Sequence, residues 1–240
     1  MLSLLSSQKQ QHKNESQRSR RNKIRNGIKL TLSHFKEPVF PRTISSTDSH
    51  YGPKFKIVYS ENEMLRAYEN SNFIDCRVSV NPPLNNSKEI DTASADLITF
   101  DLEKSVFMRE SAQIKMLYAI LHAFRKMLLR PTVLWSGNSF YIYQPIESTH
   151  IHQIEIFRDH VIKQYPLLGF LEQNFVSYES DPCHVNSMLM IAGTLNSKCV
   201  VKSKDGEEQY QEVEIVQTWD GHIRKFDSSL YQYFRNLNSN

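Results

Sequence analysis

Glycine is scarce in this 240-residue chain, at seven residues. None falls in a Walker or Rossmann pattern, so a glycine-rich phosphate loop is not expected. Cysteine is scarcer still. Cys76, Cys183 and Cys199 are too few for a disulfide framework, which points to a reducing intracellular compartment. They also lack the paired short spacings of structural zinc, so zinc is not expected even with His184 beside Cys183. No apolar run approaches the ~18 residues of a membrane-spanning helix, and no membrane partner is expected. The opening Met1-Leu2-Ser3-Leu4-Leu5 is too short for a signal sequence. No Gly-x-Ser-x-Gly elbow marks a serine hydrolase. Acid is nearly missing from residues 1–36, where nine Lys or Arg face Glu15 alone for a net +8, while the rest of the chain carries 20 basic and 25 acidic residues.

That asymmetry divides the chain. Residues 1–45 read as a basic, Gln/Asn/Ser-rich arm and linker, mostly disordered or loosely helical, and 46–240 as one domain with ordinary globular composition. An arm of this charge has affinity for polyanions, and Arg18, Arg20, Arg21, Lys23 and Arg25 are its candidate nucleic-acid contacts. A plain solvated tail is the alternative. Pro38, Pro41 and the polar stretch 43–50 read as a linker or an extended wrap.

From Lys54 the pattern becomes regular. Residues 54–59 alternate like a strand, and Ser60 with Glu63 forms a capping box that opens a short helix to about Asn70. Residues 74–80 alternate again until Pro82 and Pro83. Residues 81–94 read as loop and 97–103 as a strong strand. Ile114, Leu117, Leu121, Phe124 and Leu128 fall at steps of three and four, which predicts a helix over about 111–129. A hairpin follows, with strands at 132–135 and 140–143 around the turn Ser136-Gly137-Asn138. A further amphipathic helix is expected over 149–165, and strands at 188–191 and 212–219. Strands and helices mix without βαβ regularity, so the fold class is α+β.

Asp101 and Glu103 stand two apart at the end of a core-type strand, so both carboxylates leave the same face. Two adjacent acids repel unless a cation sits between them, and hard divalent ions take oxygen ligands. An acidic strand end in water is the plainer reading. The Ser136-Gly137-Asn138 turn offers backbone N–H groups and a hydroxyl to a phosphate. Downstream, the run from Ser180 to Lys198 joins a carboxylate, Asp181, to a strand, a Gly193-Thr194 turn and Lys198. Lys198 could pair with a triphosphate, and Asp181 could complete a metal set with Asp220 as its rival.

In order, these segments resemble the archaeo-eukaryotic primase superfamily, in its primase-polymerase branch. Asp101 and Glu103 match an Asp-x-Glu strand end, and Ser136 to Asn138 match a Ser-Gly turn. Asp181 and Lys198 match an acid followed by a strand and a basic residue. Gly193-Thr194-Leu195-Asn196-Ser197-Lys198 is similar to a stretch of archaeal relatives, and Ile74-Asp75-Cys76-Arg77 to a segment ahead of the first motif. The resemblance covers about residues 55–225. It implies an RNA-recognition-motif-like catalytic sheet beside a smaller α/β module, and a template-dependent nucleotidyltransferase of DNA replication. Asp101, Glu103 and Asp181 would hold two Mg²⁺ or Mn²⁺ ions. Ser136, Gly137, Asn138, Tyr141 and Lys198 would meet the nucleoside triphosphate, with single-stranded DNA as template and a helicase or another replication protein as a further partner. Two positions depart from the pattern. Tyr141 stands where the family has His, and Met190 where it has a basic residue, so a degenerate, DNA-binding primase-like replication protein is the alternative.

Overall fold

The computed structural model describes residues 18–48, 51–83, 94–107, 109–150, 152–157, 188–202 and 206–226. Within them the chain is α+β, as its pattern implies, and its named sheets are joined by antiparallel ladders.

The chain enters as a helix, α1, over residues 18–32. Residues 18–32 of the expected arm are therefore a packed helix rather than disordered chain, while residues 1–17 lie outside the described residues. Ile24, Ile28 and Leu32 recur every four residues and are 0%, 0% and 8% exposed, so one stripe of an otherwise basic helix is core. The backbone also packs tightly. A Cβ placed on Gly27 would lie 2.0 Å from the Ala192 carbonyl oxygen. At its C-terminal end His34 ties the helix to the body. Its Nδ1 lies 2.7 Å from the Leu30 carbonyl, which can only accept, so Nδ1 carries the proton. Burial pushes the ring pKa down to about 4, and the neutral Nε2 then accepts from the Thr132 hydroxyl at 2.8 Å.

The first sheet has the order β2–β1–β3–β7. Strand β1 spans Arg42–Asp48, within the stretch expected as linker, and β2 spans Gly52–Val58. They form a hairpin in continuous register from Arg42↔Val58 to Asp48↔Gly52. Helix α2, Glu61–Glu69, follows. Its capping box is real: the Glu63 N–H donates to Ser60 Oγ at 3.2 Å, and Glu63 reaches back to accept from the Tyr59 N–H at 2.7 Å. Strands β3, Arg77–Ser79, and β7, Met188–Met190, complete the sheet.

The second sheet has the order β10–β5–β6–β4. Its strands are β4 (Ser94–Glu103), β5 (Thr132–Trp135), β6 (Ser139–His150) and β10 (Glu214–Gln217). Helix α3, Glu110–Lys126, supplies Phe124, Ile120 and Met116 to one core cluster, with Ile98, Phe100, Leu102, Val133 and Ile142 from the sheet. Strand β6 runs past the point where a helix was expected to begin, because Ser94 and Ala95 of β4 keep pairing with His150 and Thr149. Residues 152–157 are helical; 158–165 lie outside the described residues. Strands β8, Leu195–Lys202, and β9, Glu208–Glu212, form a separate ribbon.

The other face of the second sheet presents Leu97, Leu134, Tyr141 and Tyr143. These join a second core cluster with Met190 and Ile44 of the first sheet, Met64 and Tyr68 of α2, and Ile24 and Ile28 of α1. The cluster welds the two sheets together, and the Met190 N–H donates to the Tyr143 hydroxyl at 2.9 Å.

Candidate active site

The face of β4 that carries Asp101 and Glu103 is set by pleat alone. Phe100 and Leu102 turn into the α3 core, so the two acids between and beyond them turn toward the first sheet. Asp101 pairs with Tyr141 and Glu103 with Ser139 across β6. Asp101 Oδ1 is buried and, among the described residues, has no hydrogen-bond partner. Burial, then the neighbouring Glu103 charge, push the Asp101 carboxyl up to about 6, against the pull of Arg77, Lys198 and the Ser139 hydroxyl. A partnerless carboxylate oxygen beside a second acid is the arrangement that a hard cation relieves.

The turn of residues 136–138 is clamped beside this strand end. Asn138 O accepts from the Lys104 N–H at 2.7 Å and from Gln113 Nε2 at 3.0 Å, and the same Gln113 amide donates to Leu102 O at 2.6 Å. Thus α3 fixes the turn to the end of β4. From the far side Asn196 Nδ2 donates to Ser136 O at 2.9 Å and to Asn138 Oδ1 at 2.8 Å. Gly137 has φ +92°, and a Cβ there would lie 2.5 Å from Cys199 Sγ, so this turn admits only glycine against β8. Ser136 is 0% exposed and its hydroxyl donates to Asn138 Oδ1 at 3.1 Å, inside the turn.

The run ending in Lys198 arrives at the same place. Asp75 accepts from the Ser197 N–H at 2.9 Å and from the Ser197 hydroxyl at 2.5 Å. The Lys198 N–H donates to Asn196 Oδ1 at 3.1 Å, and Lys198 Nζ stands 3.9 Å from Glu103 Oε1. Four segments far apart in sequence therefore meet: 74–77, 101–103, 136–138 and 193–198.

Tyr141 is 9% exposed and lies directly across from Asp101. Burial, then the Asp101 charge, push its phenol up to about 12, so it is a neutral donor. Met190 is 1% exposed in the second core cluster, so it is packing. Its register partner on β3 is Arg77, which shares its face. Arg77 pulls on Asp101, Tyr141 and Tyr143 alike. The charge that Met190 cannot supply is thus present one strand away. Sequence alone marked Arg77 only as part of a family-like segment; the pairing of β3 with β7 was the missing information.

Two candidates are placed elsewhere or not at all. Asp181 lies outside the described residues. Asp220 holds Arg224 at 2.7 Å, and although burial pushes its carboxyl up, the Arg224 and His222 contacts together keep it below its ordinary pKa. Arg224 bridges to Ile146, five residues along β6 from Tyr141 and so about 17 Å away. Asp220 is therefore engaged at the other end of the strand. Among the described residues, no three His, Cys, Asp or Glu side chains gather as a metal set, and Cys76 and Cys199 are free thiols. Of the arm candidates, Arg21 pairs with Glu69 at 2.6 Å, Lys23 with Glu212 and Arg25 with Glu61 at 3.9 Å, while Arg20 lies over the Phe73 ring at 5.5 Å. No helix among the described residues is long and apolar enough to cross a membrane.

No family model and no curated protein matches the chain. Among solved structures it is similar to primase RepB′, at 15% identity and a TM-score of 0.46 over 90% of this chain and 63% of that one. It is also similar to the polymerase domain of Ligase D from Mycobacterium tuberculosis in complex with DNA. There the identity is 13% and the TM-score 0.47, over 90% of this chain and 89% of that one. The chain spans about two thirds or less of the RepB′ primase chain, at 63%.

Proposed function

We propose that this chain is a template-dependent nucleotidyltransferase of the primase-polymerase kind, working on single-stranded DNA with nucleoside triphosphates. The observation that carries the reading is the Asp101–Glu103 strand end. One carboxylate oxygen is buried without a partner, two cationic side chains act on it, and the 136–138 turn is clamped alongside. The motif order in the sequence supports it.

The donor set fits divalent cations. Asp101 and Glu103 are hard oxygen ligands, and Asp181, outside the described residues, would complete the set. Mg²⁺ or Mn²⁺ held there would supply charge neutralisation for the triphosphate and Lewis-acid activation of a 3′-hydroxyl. The rest falls to the chain itself. Arg77 and Lys198 place positive charge where phosphate oxygens would lie. Tyr141 offers a neutral O–H donor rather than the cation a histidine could provide. Gln113 and Asn196 keep the turn from moving with respect to the carboxylates, and Gly137 lets its backbone approach closely. Burial makes water a poor competitor at Asp101, which strengthens any charge contact made there.

A second reading is a degenerate DNA-binding relative, and the buried Met190 together with the Ser136 hydroxyl engaged inside its turn favours it. Incorporation of a labelled nucleotide onto a primer annealed to single-stranded template, with Mg²⁺ or Mn²⁺, separates the two. Metal-dependent extension that follows the template supports the enzyme. Tight DNA binding with no incorporation under any metal supports the degenerate form.

A further inference from the structure

Among the described residues, strand β2 is the edge of the first sheet. It carries large apolar side chains where an edge strand ordinarily carries none. Phe55 is 70% exposed and Ile57 44%, and Tyr59, which continues the alternation past the strand end, is 68%. The register shows which way they point. Phe55 pairs with Ser45, Ser45 with Arg77, and Arg77 with Met190, so all four stand in one row on one face. That is the face from which Arg77 acts on Asp101. Phe55 lies two strands from Arg77, about 10 Å. Between them β1 presents the small side chains Thr43 and Thr47, both half-buried, and Ser45, which is 9% exposed.

We propose that this face of the β1–β2 hairpin is a base-stacking shelf for single-stranded nucleic acid leading into the Asp101 site. The inference rests on the polymerase reading for the direction of the strand, but binding itself does not depend on catalysis. Three observations select this occupant over a protein. The exposed side chains are chiefly aromatic, and aromatic rings accept any base face. Arg77 closes the same row as Phe55 and Ser45, so a cation stands on the shelf face to meet a phosphate, while Lys54 and Lys56 alternate to the other face along the strand edge. Pro53 and the two lysines also oppose the addition of another strand at this edge. Lys54 is held by Asp48 at 2.7 Å and lies over the Tyr51 ring at 4.6 Å, so the cationic side of the hairpin is braced rather than loose.

The test is binding of a 5′-labelled oligo(dT) strand to the full chain, without metal or nucleotide, across a salt series. Each lost stacking contact should cost about five- to a hundredfold in affinity. The Phe55→Ala, Tyr59→Ala double variant is expected to bind at least tenfold more weakly with an unchanged salt slope, because stacking releases no counterions. Tyr118→Ala, also exposed at 67% but on α3, should bind like the unaltered chain. Both variants remove exposed side chains, so a thermal melt should match the parent. Oligo(dT) binding that is unaltered in the double variant, or absent from the parent, overturns the shelf. Self-association of the parent that the double variant abolishes, with DNA affinity unchanged, assigns the face to protein and overturns it too. Normal template-directed incorporation alongside unaltered binding in the double variant would sink the shelf and leave the polymerase reading standing. A shelf that binds in a chain that incorporates nothing would do the reverse.

Discussion

Helix α1 and the end of strand β4 both crowd like charges together, and the fold answers them differently. On α1, Arg21 and Lys23 each hold a carboxylate from the body of the protein, at Glu69 and Glu212, and Arg25 stands 3.9 Å from Glu61. Ile24 and Ile28 bury the opposite stripe. Half of the six cations on α1 thus have a carboxylate nearby, and the buried stripe makes the helix part of the core. At β4 the acids are drawn inward instead. Lys198 stands 3.9 Å from Glu103, the same distance as Arg25 from Glu61, but among the described residues Asp101 Oδ1 has no hydrogen-bond partner. A dense run of charge in a sequence is therefore a weak sign of function. An unneutralised charge that the fold has taken out of water is a stronger one.

The largest effect expected from this contrast is at Asp101. Asp101→Asn should lower template-directed incorporation by at least about a thousandfold, since metal-assisted charge stabilisation is worth several kcal/mol. The same change should make the metal-free protein more stable. Asp101 titrates at about 6 in the folded chain against an ordinary 3.8, so the folded state holds the proton more tightly than the unfolded one. Stability from this group is full below about pH 4 and is lost as pH rises through 6, a loss of about 3 kcal/mol by pH 8. Denaturant melts should show the Asn variant ahead of the parent at pH 8 and level with it at pH 4. A variant less stable at pH 8 would place the carboxylate in an ion pair that was overlooked.

Met190→Arg comes next. It sets a second cation beside Arg77 in a core position that is 1% exposed, and an unpaired buried charge costs about 3–5 kcal/mol. The melt should fall accordingly, with no tighter binding of a nucleoside triphosphate. Arg77→Met should do the opposite, weakening triphosphate binding with little loss of stability. If Met190→Arg tightened nucleotide binding in a well-folded protein, the family's basic position would be available here after all.

Along α1 the ordering reverses what composition suggests. Ile28→Ala should cost about 2–4 kcal/mol in denaturant melts, whereas Arg21→Ala or Arg25→Ala should cost less than about 1 kcal/mol, as exposed ion pairs do. The salt slope of DNA binding should change by less than about one per arginine removed, because these side chains are already paired. A steeper change would return α1 to the nucleic-acid interface.

Much of the second sheet and its helix was legible, because α3 and β4 to β6 carry strong period-3.6 and period-2 patterns over long runs. The pairing of Asp101 with Glu103 followed from pleat alone. Three features were not legible, for separate reasons. In α1 the repeat Ile24, Ile28, Leu32 was outweighed by the surrounding arginines. In β1 only Ile44 is a large apolar residue, since its partner strand exposes most of its own length. Arg77 required the β3–β7 register, which joins residues 113 positions apart and leaves no trace in local pattern. The turn itself was legible, but not that the Ser136 hydroxyl, read as a phosphate ligand, also donates to Asn138 Oδ1 inside the turn.

If the chain transfers nucleotides, the Asp101–Glu103 strand end holds divalent metal. A titration of Mn²⁺, followed by electron paramagnetic resonance at pH 8 with a non-hydrolysable nucleoside triphosphate present, reads this without requiring turnover. The parent should bind Mn²⁺ stoichiometrically, and Asp101→Asn and Glu103→Gln should each lose most of that binding while their melts show folded protein. Mn²⁺ binding that is equal in the parent and in folded Asp101→Asn would contradict the claim and leave the partnerless carboxylate without a metal to explain it.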